Sequence, residues 1–505
     1  MAPIEGVCAH AWRMPELAKE YEWKGSRYKM KVKSSIYLSE IKPVLICLRD
    51  RLLEEYPYVS ILATDSVAKQ YVVSRAQTSV SMAGLMSGQG FVVKVYDGTS
   101  YGEYSFNEVS AEGIEGIVSK IKKELFQMSQ VLPEGVERSV YGMLDDAPMV
   151  FAGSTEYETD PQEYGDEAIL RELTQASETG RAYSDKVLDC RAFVTYQKYS
   201  KLFLSKNRDL EQNVLWMAGG FSVMAARGEE VKSSYRGFSN LGGAELLAQM
   251  REGVCDVAKV ALELLESEPI MPGEYDCICN PEVTGMIVHE AFGHGVEMDM
   301  FVKKRALAEQ FVGKQVASGL VTMHDGAAAA KEVATYFFDD EGVMAKDTVV
   351  IEGGILKAGI SDAQSAMYLN TQPTGNGRRE SFQRKAYTRM TNTFFEGGND
   401  KVEDMISSIR QGFLLEEPSS GMEDPKNWGI QCMVSIAREI KDGKLTGKIY
   451  SPVVLTGYVP DLLKSISMVS GEVKLGGGGM CGKGYKEWVK VSDGGPYIKA
   501  RIRLG

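Results

Sequence analysis

Long apolar runs are missing from this sequence: no stretch approaches the ~18 residues that a membrane-spanning helix needs, so a helical span is not expected. The N-terminus, MAPIEGVCAHAWRMPELAKEY, lacks a basic segment followed by an apolar one, which argues against a secretory signal. Positive charge is in deficit, with 57 Lys and Arg against 69 Asp and Glu and a net charge of -12. That balance repels phosphate backbones, so direct nucleic-acid binding is not expected, and the short basic stretch KGSRYKMKVK reads as solvated surface. The 8 cysteines include no C-x-x-C pair, unlike a zinc ribbon or a small disulfide scaffold. Most read as small buried thiols in a reducing compartment, and together these absences predict a cytoplasmic protein. Histidine is scarce too, at 4 residues, so two of them close together in one segment stand out.

What is present is an ordinary globular composition, 44% hydrophobic and 25% charged. At 505 residues the chain exceeds one core, and two or three domains are expected. Near the N-terminus LSEIKPVLICLRDRLLEEY has helical spacing, with Ser39 ahead of Glu40 and Pro43 expected within the first turn. QYVVSRAQTSVSMAGL and GFVVKVYDGTSYGEYSF alternate as hairpins, and VSAEGIEGIVSKIKKELFQM returns to a helical pattern. The acidic, turn-rich residues 145–180 read as a linker leading into a helix, with a subdomain split near 145–165. Long alternating strands follow, then a helix ending near Glu268 before Pro269 and Pro272. The expected fold is α+β: an N-terminal mixed domain over 1–268 and a C-terminal antiparallel sheet or barrel-like domain over 269–505.

The histidines lie in VTGMIVHEAFGHGVEMDM, Val283 to Met300, as H-E-x-x-x-H, one residue longer than the zinc-peptidase H-E-x-x-H. On an α-helix, residues five apart point about 140° apart, so His289 and His294 cannot share one ion on a straight helix. A break, a kink or a π turn would restore a common face, and Gly293 and Gly295 are the residues that could give the backbone that freedom. Glu290 stands next to the first histidine, where a carboxylate could serve as general base. A catalytic zinc needs a third protein ligand. Glu297, His324, the triplet Asp339, Asp340 and Glu341, and Cys481 in LGGGGMCGKGYKEW are candidates, and spacing does not choose among them. The competing reading takes the histidines as capping or core residues, Glu290 as a surface acid and Cys481 as a buried thiol.

The surroundings of the motif resemble the TldD/PmbA family of metallopeptidases, formerly described as modulators of DNA gyrase. VTGMIVHEAFGHGVEMD is similar to its signature, and FVGKQVASGLVTMHDG, YFFDDEGV, TGNGRRESF, PDLLKSISMV and GGGGMCGKGY follow in the family's order. SSYRGFSN and GQGFVVKVYDG extend the likeness into the first half. The resemblance implies that His289, His294 and Cys481 hold Zn2+, that Glu290 is the general base and that Glu297 supports a histidine. It also implies an unfolded or leader-type peptide substrate held by strand addition in an enclosed site, and pairing with a PmbA (TldE)-type subunit or with a second copy. Arg378 and Arg379 in GNGRRE and Arg389 in TRMTN could meet a substrate carboxylate or an oxyanion, or equally form structural ion pairs. The chain departs from the family's pattern over 421–445, GMEDPKNWGIQCMVSIAREIKDGKL, which affects substrate contacts and pairing surface rather than metal binding. Two rivals remain: a non-catalytic peptide-binding subunit with a closed structural zinc, in which Glu297 is a direct ligand, and a nucleic-acid regulator.

Overall fold

The computed structural model describes residues 29–84, 86–130, 140–484 and 487–505. Its first half is built on an eight-stranded sheet in which the Tyr58–Val73, Val187–Leu204 and Arg208–Arg227 strands lie side by side. Their alternating side chains bury one face under the helices Asp166–Ala182 and Leu246–Leu264 toward one end and under Ile36–Leu53 and Ile114–Gln130 toward the other, while Leu62, Phe203 and Trp216 on the opposite face pack toward Phe338 and Val333 of the second half. The expected hairpins are present, with Val73 opposite Thr78 and Tyr96 opposite Tyr101.

Two local expectations are corrected. Ser35, not Ser39, caps the first helix, and Pro43 therefore lies in its interior instead of its first turn. Within 145–180, Met149–Ser154 forms a strand parallel to Arg208–Arg227, so the segment is more than a linker. The sheet also joins strands from both sides of 145–165. Acidic turn residues around it hid that strand, because MVFA is apolar on both faces, with Val150 and Ala152 exposed, and shows no alternation to read.

Beyond the prolines, five strands close on themselves. Gly273–Cys279 pairs with Gln411–Asp424, followed in turn by Gly429–Lys441, Val453–Tyr458 and Ile498–Leu504, and the last pairs back onto the first. The result is the barrel-like body expected, although Gly273–Cys279 lies parallel to Gln411–Asp424, so the closure is mixed and not purely antiparallel. Ladder direction follows the long excursion between those two strands, residues 280–410, which no hairpin could make. Inward residues such as Cys277, Leu415, Cys432, Leu455 and Ala500 share one core with the motif segment.

The two halves meet through charge. Lys94 pairs with Glu341, Lys201 with Asp340, and Arg379 with Glu103, all largely buried. This accounts for the acidic triplet at 339–341, which joins the halves and does not approach the histidines. Asp339 is pushed up by burial beside Glu341.

Candidate metal centre

The motif begins as a regular helix, Pro281–Met286, whose first turn is fixed by Asn280: its side chain accepts from the Val283 amide and Pro281 follows at the first position. From Ile287 to Gly293 the backbone widens to a π-helix, and His294–Val296 tightens into a single 3-10 turn. The five-residue histidine spacing thus finds the wide turn it requires. Apart from half-buried Glu290, every side chain from Val283 to Phe292 is buried, so core packing on all sides holds the distortion in place.

Gly293 serves that packing in a way not anticipated. Its φ of -59 is ordinary right-handed helix, so it is not a hinge. A Cβ at Gly293 would come within 2.2 Å of the Met390 sulfur and 3.1 Å of the Val288 carbonyl, and Met390 is fully buried. Gly293→Ala is therefore expected to destabilise the chain by about 1–3 kcal/mol through overpacking, as measured by urea unfolding. An unchanged midpoint would show that the Met390 contact is slack.

Cys481 arrives on the short hairpin Met480–Lys483 and Glu487–Lys490. His289, His294 and Cys481 present ligand atoms that all lie within 4.8 Å of one another. The Cys481 sulfur is 3.6 Å from His294 Nε2, and the two imidazole rings stand nearly perpendicular, centroids 5.2 Å apart. Each imidazole has a carboxylate behind it. His294 Nδ1 lies 3.3 Å from Glu297 Oε2, and His289 Nδ1 faces Asp493 Oδ2 at 3.8 Å, beyond hydrogen-bond reach. Lys483 Nζ donates to Glu297 at 2.9 Å, to Asp299 at 2.7 Å and to the Thr388 carbonyl. Arg389 donates to the carbonyls of Cys481 and Glu487, pinning the hairpin that carries the thiol.

The electrostatics match a cation site. Burial opposes ionisation of Cys481, yet the two histidines beside it hold the thiol well below its ordinary range. Burial likewise disfavours a charged His294, but Glu297 and the thiol push it well above the usual value. Glu297 is driven down to about 2 against the cost of burial, chiefly by Lys483 and then His294. Burial raises Glu290, with the histidines pulling the other way. A thiolate held between two imidazoles fits a borderline-soft divalent ion such as zinc. Glu297→Gln should weaken metal binding about 10- to 100-fold, as read by competition with a chelating dye, because it loosens His294 and leaves Lys483 one carboxylate instead of two. Undiminished affinity would remove Glu297 from this role.

The remaining sequence candidates lie elsewhere. His324 sits between Asp347 and Glu396 at 2.7 and 2.9 Å, stacked on Phe394. Arg378 donates to the Met390 and Lys490 carbonyls, each at 2.7 Å. With Arg379, tied to Glu103, it lines a pocket between the halves. Sequence reading did not single out Asp493 or Lys483. For Lys483 a weak signal existed, two residues beyond the cysteine; for Asp493 there was none beyond a turn-like Asp-Gly-Gly.

Residues 272–502 match the family described as the PmbA/TldA metallopeptidase C-terminal domain. This C-terminal region is similar to the TldD/PmbA family. A Methanothermobacter thermautotrophicus protein named metalloprotease is 28% identical over 66% of this chain and 73% of its own length. A metalloprotease TldD homolog of Buchnera aphidicola is 35% identical over 48% of this chain and 50% of its own length, so the chain spans only half of that relative. In structure, a Thermotoga maritima protein named for modulation of a DNA gyrase superposes with a TM-score of 0.72 over 93% of this chain and all of its own, at 17% identity, which speaks to fold alone. The TldD/PmbA fold thus covers both halves, while the sequence likeness concentrates in the half that carries the histidines. Among the described residues no helix is long and apolar enough to cross a membrane.

Proposed function

We propose that this chain is a zinc-dependent peptidase acting on flexible, unfolded or leader-type peptides. The observation that carries the reading is the buried triad His289, His294 and Cys481, with Glu290 beside it on the widened turn. When bound, zinc would polarise the scissile carbonyl and lower the pKa of water. Glu290 would accept a proton from the attacking water at its carboxylate and return it to the leaving amine. The packing of Glu290 supports this: a Cβ on Gly421 would lie within 2.5 Å of Glu290 Cγ, so the neighbouring strand fixes the carboxylate's stem. Glu297 is engaged with His294 and Lys483, which favours a three-ligand site with an open position over the closed structural zinc.

Peptide capture by strand addition has a place to occur. The Gly273–Cys279 strand pairs only with Gly412–Leu415, so among the described residues no strand covers that edge of Glu416–Asp424, beside the π turn. An extended peptide added there would align its backbone by main-chain hydrogen bonds, within an enclosed chamber completed by a PmbA (TldE)-type partner or a second copy. The decisive test is hydrolysis of an unfolded peptide by the purified chain, alone and with a PmbA-type subunit. Chelation should abolish cleavage and added zinc restore it; cleavage indifferent to chelation would discard the reading.

A further inference from the structure

The divergent segment 421–445 brings an unassigned acid to the edge of the metal centre. Glu423 lies two residues along the strand from Gly421, on the same side, and opposite buried Ile430 on the next strand. Met422 and Asp424 are exposed, so the alternation turns Glu423 inward. Both of its carboxylate oxygens are buried and neither has a hydrogen-bond partner. One lies where a Cβ on Gly295 would come within 2.6 Å of it, one residue past the second histidine. The Gly295 amide leans toward the carboxylate without reaching hydrogen-bond geometry. His294, Glu297 and Glu290 are the charged groups that face it, and two of these three are acids. Lys483, the cation of this neighbourhood, is already shared by Glu297, Asp299 and the Thr388 carbonyl.

Burial without a partner pushes the Glu423 carboxyl well above its ordinary range, and with acids around it only a cation from outside the chain would let it ionise and pair. The uncovered strand edge says where that cation comes from. A peptide laid along Glu416–Asp424 passes Gly421, against which Glu290 packs, and reaches Glu423 roughly 7 Å further on, about two residues along.

We propose that Glu423 is a specificity-determining residue that receives a positively charged group of the substrate, an ammonium or guanidinium, within about two residues of the bond to be cut. The proposal rests on the peptidase reading. The charged group is either the free N-terminus of the peptide or a Lys or Arg side chain.

The test uses the zinc-loaded Glu290→Gln chain, in which hydrolysis is suppressed, and fluorescence anisotropy of labelled peptides. Four peptides share one neutral sequence, with Lys or Leu at one position and a free or acetylated N-terminus. A cationic peptide should bind at least about 10-fold more tightly than the acetylated Leu peptide, and adding Glu423→Gln should erase the difference. A preference that follows Lys assigns the side chain, and one lost on acetylation assigns the N-terminus. Equal affinity for all four, no binding of any, or a preference that survives in a folded double variant overturns the proposal. The four-peptide comparison on the single variant decides even where the double variant fails to fold. Hydrolysis of the neutral peptides by the wild-type chain is followed in parallel: cleavage without charge preference in binding leaves the peptidase reading standing and removes Glu423 alone.

Discussion

Replacing Glu290 by glutamine is expected to lower peptide hydrolysis about 10²- to 10⁴-fold while metal content stays the same. Glutamine keeps the shape that packs against Gly421, so the π turn and the three ligands should not move. What it loses is a basic oxygen able to take a proton. Burial already raises the carboxyl of Glu290, bringing it closer to the range in which a base both accepts and returns a proton near neutrality. Turnover of an unfolded peptide beside metal analysis of the same preparation checks this. Near wild-type turnover with full metal would remove Glu290 from the chemistry, whereas loss of both would make it a structural residue.

Cys481→Ser should strip the metal, reducing affinity by more than the roughly 10- to 100-fold that an outer partner is worth, and activity should vanish with it. The thiol is held well below its ordinary range by the two histidines, so it meets a cation as thiolate. A serine hydroxyl would not ionise there. The fold should survive, because Arg389 grips the main-chain carbonyl of residue 481 and not its side chain. Metal quantification of both proteins, with thermal unfolding as the control for folding, decides the point. Stoichiometric zinc in the serine variant would mean that another group closes the triad.

Several features of the site could be read without a fold. Two histidines five apart cannot chelate from a straight helix, and that arithmetic alone called for a break, a kink or a π turn, of which Ile287–Gly293 forms the last. The hairpins of the first half and the barrel-like character of the second were legible for a similar reason: strand alternation and turn residues are local. The strand Met149–Ser154 was not legible, since its pairing with Arg208–Arg227 is non-local and its apolar residues, MVFA, do not alternate and stand among turn formers. The role of Gly293 was misread because conformation and packing both favour glycine, and only the position of Met390 tells them apart.

By itself the sequence determined the chemistry on offer: a glutamate between two scarce histidines, a cysteine in a glycine-rich loop, an acidic chain with no apolar span, and an ordered set of segments resembling one family. Which groups meet was decided by the tertiary structure. Cys481 stands 187 residues from His294 and reaches it only because a hairpin folds back beside the barrel. Of the rival acids, Glu341 and Asp340 are instead committed to Lys94 and Lys201 across the junction of the halves, and Asp339 accepts from the Glu341, Val343 and Gly377 amides. Asp493 and Lys483 join the site, and Glu423 is left buried without a partner, through contacts between distant segments. Residue spacing constrains only what lies on one helix or strand; a charge, a ligand or a missing Cβ acquires its consequence from whatever the rest of the chain packs against it.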